Sequence, residues 1–302
     1  SVNLLPKCVS DIHTINIPFS TWGKSTADVI EDSASTFYEM VEEVQDLPFV
    51  DMGYTSVDVD LPHVEKGILI VCMSDTHLGS KFTDMNMLAE DVKEISETEG
   101  VFALFAGDIL DAGFKSGTPK GLVHDQVIDY RTGRRLAHAM FDEVGHKILA
   151  TTSGCHGAWT YNETGEYFEK ELADKTGTKA FLQHGGIVNL TIGTETYKIF
   201  VSHKIPGNSK LNPTRGIFRL NEFGMDFDVG VGAHHHTPSV SIMGRRERNV
   251  VGIKCGTYKA LDTFANKIGI VQNKMCIPGF YLDAKNHIVI PFMEWRQGLA
   301  LL

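Results

Sequence analysis

The chain has 302 residues, 42% hydrophobic and 22% charged, with a formal net charge of −10. Disordered and fibrous classes are excluded, and the longest apolar run, 68–73, falls far short of the roughly 20 residues of a membrane helix. Five cysteines without a CxxC, and no basic-then-apolar N-terminal stretch, imply a reducing, cytoplasmic setting with no signal peptide and no membrane partner. At face value the acidity also argues against a nucleic-acid partner.

The charge is uneven. Residues 1–65 carry Lys7 and Lys24 against twelve acids, a net charge of −10, whereas 66–302 carry 26 basic and 26 acidic residues. This predicts an acidic N-terminal appendage, 1–65, joined to a neutral main domain, 66–302. The appendage contains one helix pattern. Ser25 and Asp28 resemble a capping box, Pro48 is a stop, and Ile30, Ala34, Phe37, Val41 and Val44 form one apolar stripe. Such a helix either docks on the main domain or offers a surface for self-association or a protein partner.

From residue 66 strands and helices alternate. Residues 67–73 read as a buried strand, and Leu88, Val92 and Ile95 mark a helix face. Residues 101–106 form a second strand; Leu136, Met140, Phe141 and Val144 mark another helix, and 147–151 a further strand. Residues 112–123 read as a long loop. Strands then dominate near 187–192, 197–202, 227–231, 239–243, 249–255 and 287–292, with one helix near 214–224. Alternation followed by a strand-rich half predicts a layered α/β domain with two packed sheets.

Five apolar strands end in a carboxylate, an imidazole or both: Asp75 and His77; Asp108 and Asp111; Cys155 and His156; His203; and His234, His235 and His236. That edge of an α/β sheet is where ligands bind, and carboxylate with imidazole suits manganese, iron or zinc. Asp11 and His13 share the Asp-x-His form but follow no strand, and read as surface residues. His235 lies between two candidate ligands and is expected to point away from them.

These motifs resemble the calcineurin-like metallophosphoesterase superfamily: Asp-x-His at 75–77, Gly-Asp-x-x-Asp at 107–111, a Gly-Asn-His-acid counterpart at 154–157, His203, and Gly-x-His-x-His around 232–236. The spacing, with Gly256-Thr257-Tyr258 and Pro278 beyond, is most like bacterial and phage members, including nuclease-like ones. The resemblance implies a four-layered α/β/β/α sandwich of two mixed sheets flanked by helices. It implies two divalent metal ions, manganese above all. Asp75, His77 and His236 would hold one; Cys155, His203 and His234 the other; Asp108 would bridge. Asp111 would fix a ligand histidine, and His156 would serve the leaving oxygen as general acid or charge stabiliser.

Two positions depart from the pattern. Cys155 stands where the family has Asn, and Gly157 where it has an acid. A thiolate ligand favours zinc or iron. Cys155 is thus a soft ligand, a poor ligand giving a weak second site, or the mark of an impaired site. Losing the acid at 157 is expected to remove a supporting hydrogen bond. Arg215 is a candidate substrate contact, and Arg245, Arg246 and Arg248 form a turn cluster. The expected substrate walls are 112–131 and 204–216.

The resemblance implies a metallophosphoesterase hydrolysing a phosphodiester, DNA or RNA or a nucleotide, with a two-metal-activated hydroxide. The alternatives are a phosphomonoesterase acting on a phosphoprotein or nucleotide, and a degenerate metal-binding scaffold. Two bound cations would make the site attractive to phosphate despite the acidic total.

Overall fold

A computed structural model describes residues 54–302, apart from 113–119, 208, 210 and 247. The helix expected between Ser25 and Pro48, and most of the loop 112–123, lie outside the described residues.

The expected boundary at residue 65 moves, because the compact unit runs from Tyr54 to Leu302. Strand β1 (Thr55–Leu61) pairs in parallel with β5 (Gly185–Ile192). Its Val57 and Val59 turn inward while Asp58 and Asp60 stay in solvent, the alternation of an edge strand with one wet face. Charge counting assigned its acids to the appendage; the period of two assigns them to a sheet.

Strand β2 (Gly67–Met73) lies between β3 (Val101–Phe105), parallel to it, and β10 (Gly279–Asp283), antiparallel. Strand β4 (Ile148–Thr151) and β11 (Val289–Phe292) complete a five-stranded sheet ordered β11-β10-β2-β3-β4. The second sheet adds β6 (Glu195–Ser202), β7 (Val229–Gly232), β8 (Ser239–Gly244) and β9 (Asn249–Lys254) in the order β1-β5-β6-β7-β9-β8. Both sheets are mixed.

Alternation along β2 explains the layering. Ile68, Ile70 and Cys72 face the second sheet and meet Val188, Leu190, Ile199 and Val231. Leu69, Val71 and Met73 face outward onto helices α1 (Met85–Glu97) and α2 (Tyr130–Val144). A strand covered on both faces needs an unbroken apolar run. On the far side, Phe200 and Phe227 pack under Ile217 and Phe218 of α5 (Arg215–Glu222). The result is the expected α/β/β/α sandwich. Helices α3 (Cys155–Thr164), α4 (Phe168–Thr176) and α6 (Thr263–Lys267) were not foreseen. Among the described residues no helix is long and apolar enough to cross a membrane, and Cys72, Cys155, Cys255 and Cys276 are free thiols.

One buried carboxylate ties the helical layer to the chain behind the site. Asp91 on α1 is fully buried. It accepts from Tyr258 Oη at 2.8 Å and Trp295 Nε1 at 3.0 Å, and pairs with Arg296 Nη1 at 2.8 Å. Asp91→Ala leaves two buried donors unmet, each costing about 1–3 kcal/mol. The expected result is a loss of roughly 3 kcal/mol in urea unfolding; a change below about 1 kcal/mol would show that water replaces the carboxylate.

Candidate metal centre

The ladders of the parallel strands continue past the strands themselves. Asp75 N–H donates to Gly107 O at 3.0 Å, His77 N–H to Asp108 O at 3.1 Å, and Ala233 N–H to His203 O at 3.0 Å. The ends of β2, β3, β4, β6 and β7 are thereby stitched into one floor. Five of the eight non-glycine residues with positive φ among the described residues are here: Asp75 (51°), His77 (45°), Asp108 (53°), His234 (77°) and His236 (50°). Each such conformation costs on the order of 1–3 kcal/mol unless the surroundings enforce it. Side chains do enforce it: Thr257 Oγ1 donates to Asp75 O at 2.9 Å, and Thr83 Oγ1 to His77 O at 2.9 Å.

Two clusters of three ligand atoms, each within 4.8 Å of one another, form on this floor: Asp75 with His77 and His236, and Cys155 with His203 and His234. Asp108 adjoins both, grouping with Asp75 and His203 in the same range. His203 Nε2 is 3.1 Å from Asp108 Oδ2, and Cys155 Sγ is 3.5 Å from His234 Nδ1. All seven expected ligands are therefore brought together.

The donor chemistry fits divalent metal ions. His203 Nδ1 bonds the Ala106 carbonyl at 2.8 Å, which fixes the ring and directs Nε2 at Asp108. His77 and His236 bring their Nε2 atoms within 3.2 Å of each other, with Asp75 Oδ1 at 3.1 Å from the latter. Converging imidazole lone pairs and a carboxylate call for a cation between them.

The electrostatics agree. Burial alone would raise the Asp75 carboxyl, but His236, His77 and His203 outweigh it and hold it well below the usual range. Asp108 is likewise held low against burial, by His203, His156 and His77. His203 is held well above its ordinary value, the Asp108 charge overcoming burial. Burial pushes His156 down to about 4, so its ring is neutral.

Asp111 Oδ1 lies 3.0 Å from His77 Nδ1. It is itself held by Lys259 Nζ at 2.8 Å and by Gln126 Nε2, while Lys259 also pairs with Asp262 at 2.9 Å. His156 opens the first turn of α3. Its backbone N–H donates to Asp108 Oδ1 at 2.8 Å, and its Nδ1 meets the Asp111 carbonyl. A Cβ on Gly154 would overlap Asp108 Oδ1, so glycine is required for this approach.

Gly157 has a structural reason too. A Cβ there would overlap Glu169 Oε1. The space beside Gly157 is occupied by the carboxyl of Glu169 from α4, next to Ser153 and Gly154. Burial raises Glu169 to about 7. Between pH 4.5 and 7 the unfolded chain ionises this group before the folded one, so stability falls as pH rises and levels off above 7. Relative to wild type, metal-free Glu169→Gln is expected to gain about 3 kcal/mol over that window, read from urea midpoints at each pH. A parallel pH dependence of the two proteins would refute it.

The substrate walls differ from expectation. The cavity at the clusters, about 360 Å³, is lined by His77, Asp108, residues of α3 including Trp159, and much of 259–273. Arg215 lines a separate cavity with Asn212, Phe218 and Arg219, because the chain after His203 leaves the floor before α5 begins. Arg245 faces Asn221 and Glu222, and Arg248 pairs with Asp226 and Asp228. His235 joins neither ligand cluster but lines the cavity.

No family model and no curated protein matches the chain. Similar solved structures include vacuolar protein sorting 29 from Cryptosporidium parvum, at 15% identity and TM-score 0.39, covering 76% of this chain and 99% of that one. A predicted phosphoesterase from Streptococcus pneumoniae has 11% identity and TM-score 0.33, covering 75% and 97%. A metallophosphoesterase from Sphaerobacter thermophilus has 14% identity and TM-score 0.35, covering 74% and 86%. Likeness at this level says nothing about activity.

Proposed function

We propose that the chain is a metal-dependent phosphoesterase of the calcineurin-like kind that hydrolyses a phosphodiester. The observation that carries this is the pair of three-ligand clusters at one end of a cavity, with Asp108 grouped with one member of each, Asp75 and His203. Asp75, His77 and His236 would hold one divalent cation, Cys155, His203 and His234 the other, with Asp108 between. Two such ions supply Lewis-acid charge to phosphate oxygens and lower the pKa of water. The Cys155 sulfur makes zinc or iron the better ion for its cluster.

His156 donates its Nδ1 hydrogen to the Asp111 carbonyl, which leaves its neutral Nε2 free as a proton acceptor beside the clusters. Lys259 and Gln126 hold Asp111, which orients His77. Among the described residues, the only basic side chain lining the cavity apart from histidines is Lys259, already paired with two aspartates. With no free arginine to meet a second phosphate charge, a monoanionic diester suits the cavity better than a monoester.

Metal-free protein supplied with zinc, manganese or iron should hydrolyse bis(p-nitrophenyl) phosphate, and a chelator should stop it. Failure with every ion, on this diester and on p-nitrophenyl phosphate, would overturn the reading. Hydrolysis of the monoester alone would make it a phosphomonoesterase.

A further inference from the structure

The cavity beside the clusters has an apolar, aromatic part that metal binding does not explain. Trp159 lies one helical turn after His156 on α3, half-buried, with ring centroids 4.2 Å apart and planes at 35°. Leu261, Ala265, Ile270 and Val271 add aliphatic surface to the same cavity. Ile270 and Val271 are 44% and 81% exposed, so they are not held there by core packing. Polar contacts nevertheless fix their segment to the ligand loop. Leu261 N–H donates to Gln272 Oε1 at 2.7 Å, and Asn273 Nδ2 donates to the His236 carbonyl at 3.1 Å.

From this geometry we infer that the cavity selects a small phosphodiester in which one ester group carries a flat, apolar ring, rather than a nucleic-acid polymer. The inference rests on the phosphoesterase reading and narrows its substrate. The ring stacks on Trp159 and lies against the 261–271 segment while the phosphate reaches the clusters. A volume of about 360 Å³ is near the small end for ligand cavities and suits one ring and one phosphate. A polymer is held chiefly by cations on the flanking phosphates. Among the described residues no unpaired Lys or Arg lines this cavity, and Arg215 and Arg219 line another.

The test is calorimetric titration of zinc-loaded protein with methylphosphonate, phenylphosphonate, adenosine monophosphate and a thymidine dodecamer. At least one ring-bearing ligand should bind about tenfold tighter than methylphosphonate; which one does so tells an aryl ester from a nucleotide. Trp159→Ala should erase that advantage and leave methylphosphonate unchanged. Val271→Asp, at an exposed position that cannot unfold the core, should reduce it as well. Equal binding of ring-bearing and methyl ligands, or an advantage untouched by both substitutions, overturns the inference. So does a dodecamer that binds far tighter than the nucleotide with steep salt dependence, which would mark a polymer site. A ring preference lost in Trp159→Ala without hydrolysis of any ester would leave the selectivity standing and remove the phosphoesterase reading.

Discussion

Replacing Asp108 by Asn is expected to abolish the stabilisation of the protein by divalent metal and to lower diester hydrolysis on the order of a thousandfold. The side chain is fixed on every side. Its Oδ1 takes the His156 N–H at 2.8 Å, and its Oδ2 lies 3.1 Å from His203 Nε2. Its backbone is held at φ 53°, and Gly154 leaves no Cβ in its way. Asn fits that space but offers a single acceptor and no charge. Either the His156 N–H or the face toward His203 then meets an amide donor. Saturating wild type at about a hundred times the dissociation constant adds roughly 2.7 kcal/mol, or several degrees in melting temperature. The variant should show almost none of that rise while keeping its metal-free melting temperature within a few degrees. If it melts normally without metal and still gains the full increment, Asp108 does not join the two clusters.

The site was more legible in the sequence than its surroundings. Ligands followed apolar runs at strand ends, and a buried parallel strand is a contiguous signal that local reading detects. Runs such as 68–73 therefore located the floor and the seven side chains gathered on it. Strand β10 was missed because Gly279–Asp283 is short and gains its place by pairing with β2, more than 200 residues earlier. Helix α3 was missed for another reason: Cys-His-Gly-Ala-Trp-Thr has weak helix propensity and no apolar stripe, so packing rather than sequence makes it helical. Missing the helix hid Trp159, whose spacing of three from His156 places both on one face once a helix is assumed.

The supporting residues were illegible in a stricter sense. Lys259 reaches Asp111 across 148 positions, and neither belongs to a motif that includes the other. Glu169 enters the space of Gly157 from the next helix. Read locally, Gly157 is a lost acid; in three dimensions it is the opening through which another acid arrives. The substrate wall follows the same rule. Residues 259–273 have no chemistry-bearing signature, yet the hydrogen bond from Asn273 to His236 brings them against the clusters.

Cys155 carries the second large prediction. It is the first residue of α3, half-buried, with Sγ 3.5 Å from His234 Nδ1 and within range of His203. A cysteine sulfur with two imidazoles is a zinc-type donor set. Cys155→Asn is therefore expected to lower zinc affinity about a hundredfold and move the preferred activating ion toward manganese, because a neutral carbonyl oxygen replaces a soft anion. Cobalt substitution gives an independent reading: wild type should show a sulfur-to-cobalt charge-transfer band that Cys155→Asn lacks. Zinc affinity unchanged within about threefold, with no such band in wild type, would remove sulfur from the ligand set. Hydrolysis separates the remaining cases. A working thiolate predicts that zinc-supported turnover falls in Cys155→Asn, whereas an impairing cysteine predicts that turnover rises with every ion. The donor set favours the fall: the Cys155 sulfur and the two imidazoles already lie within 4.8 Å of one another.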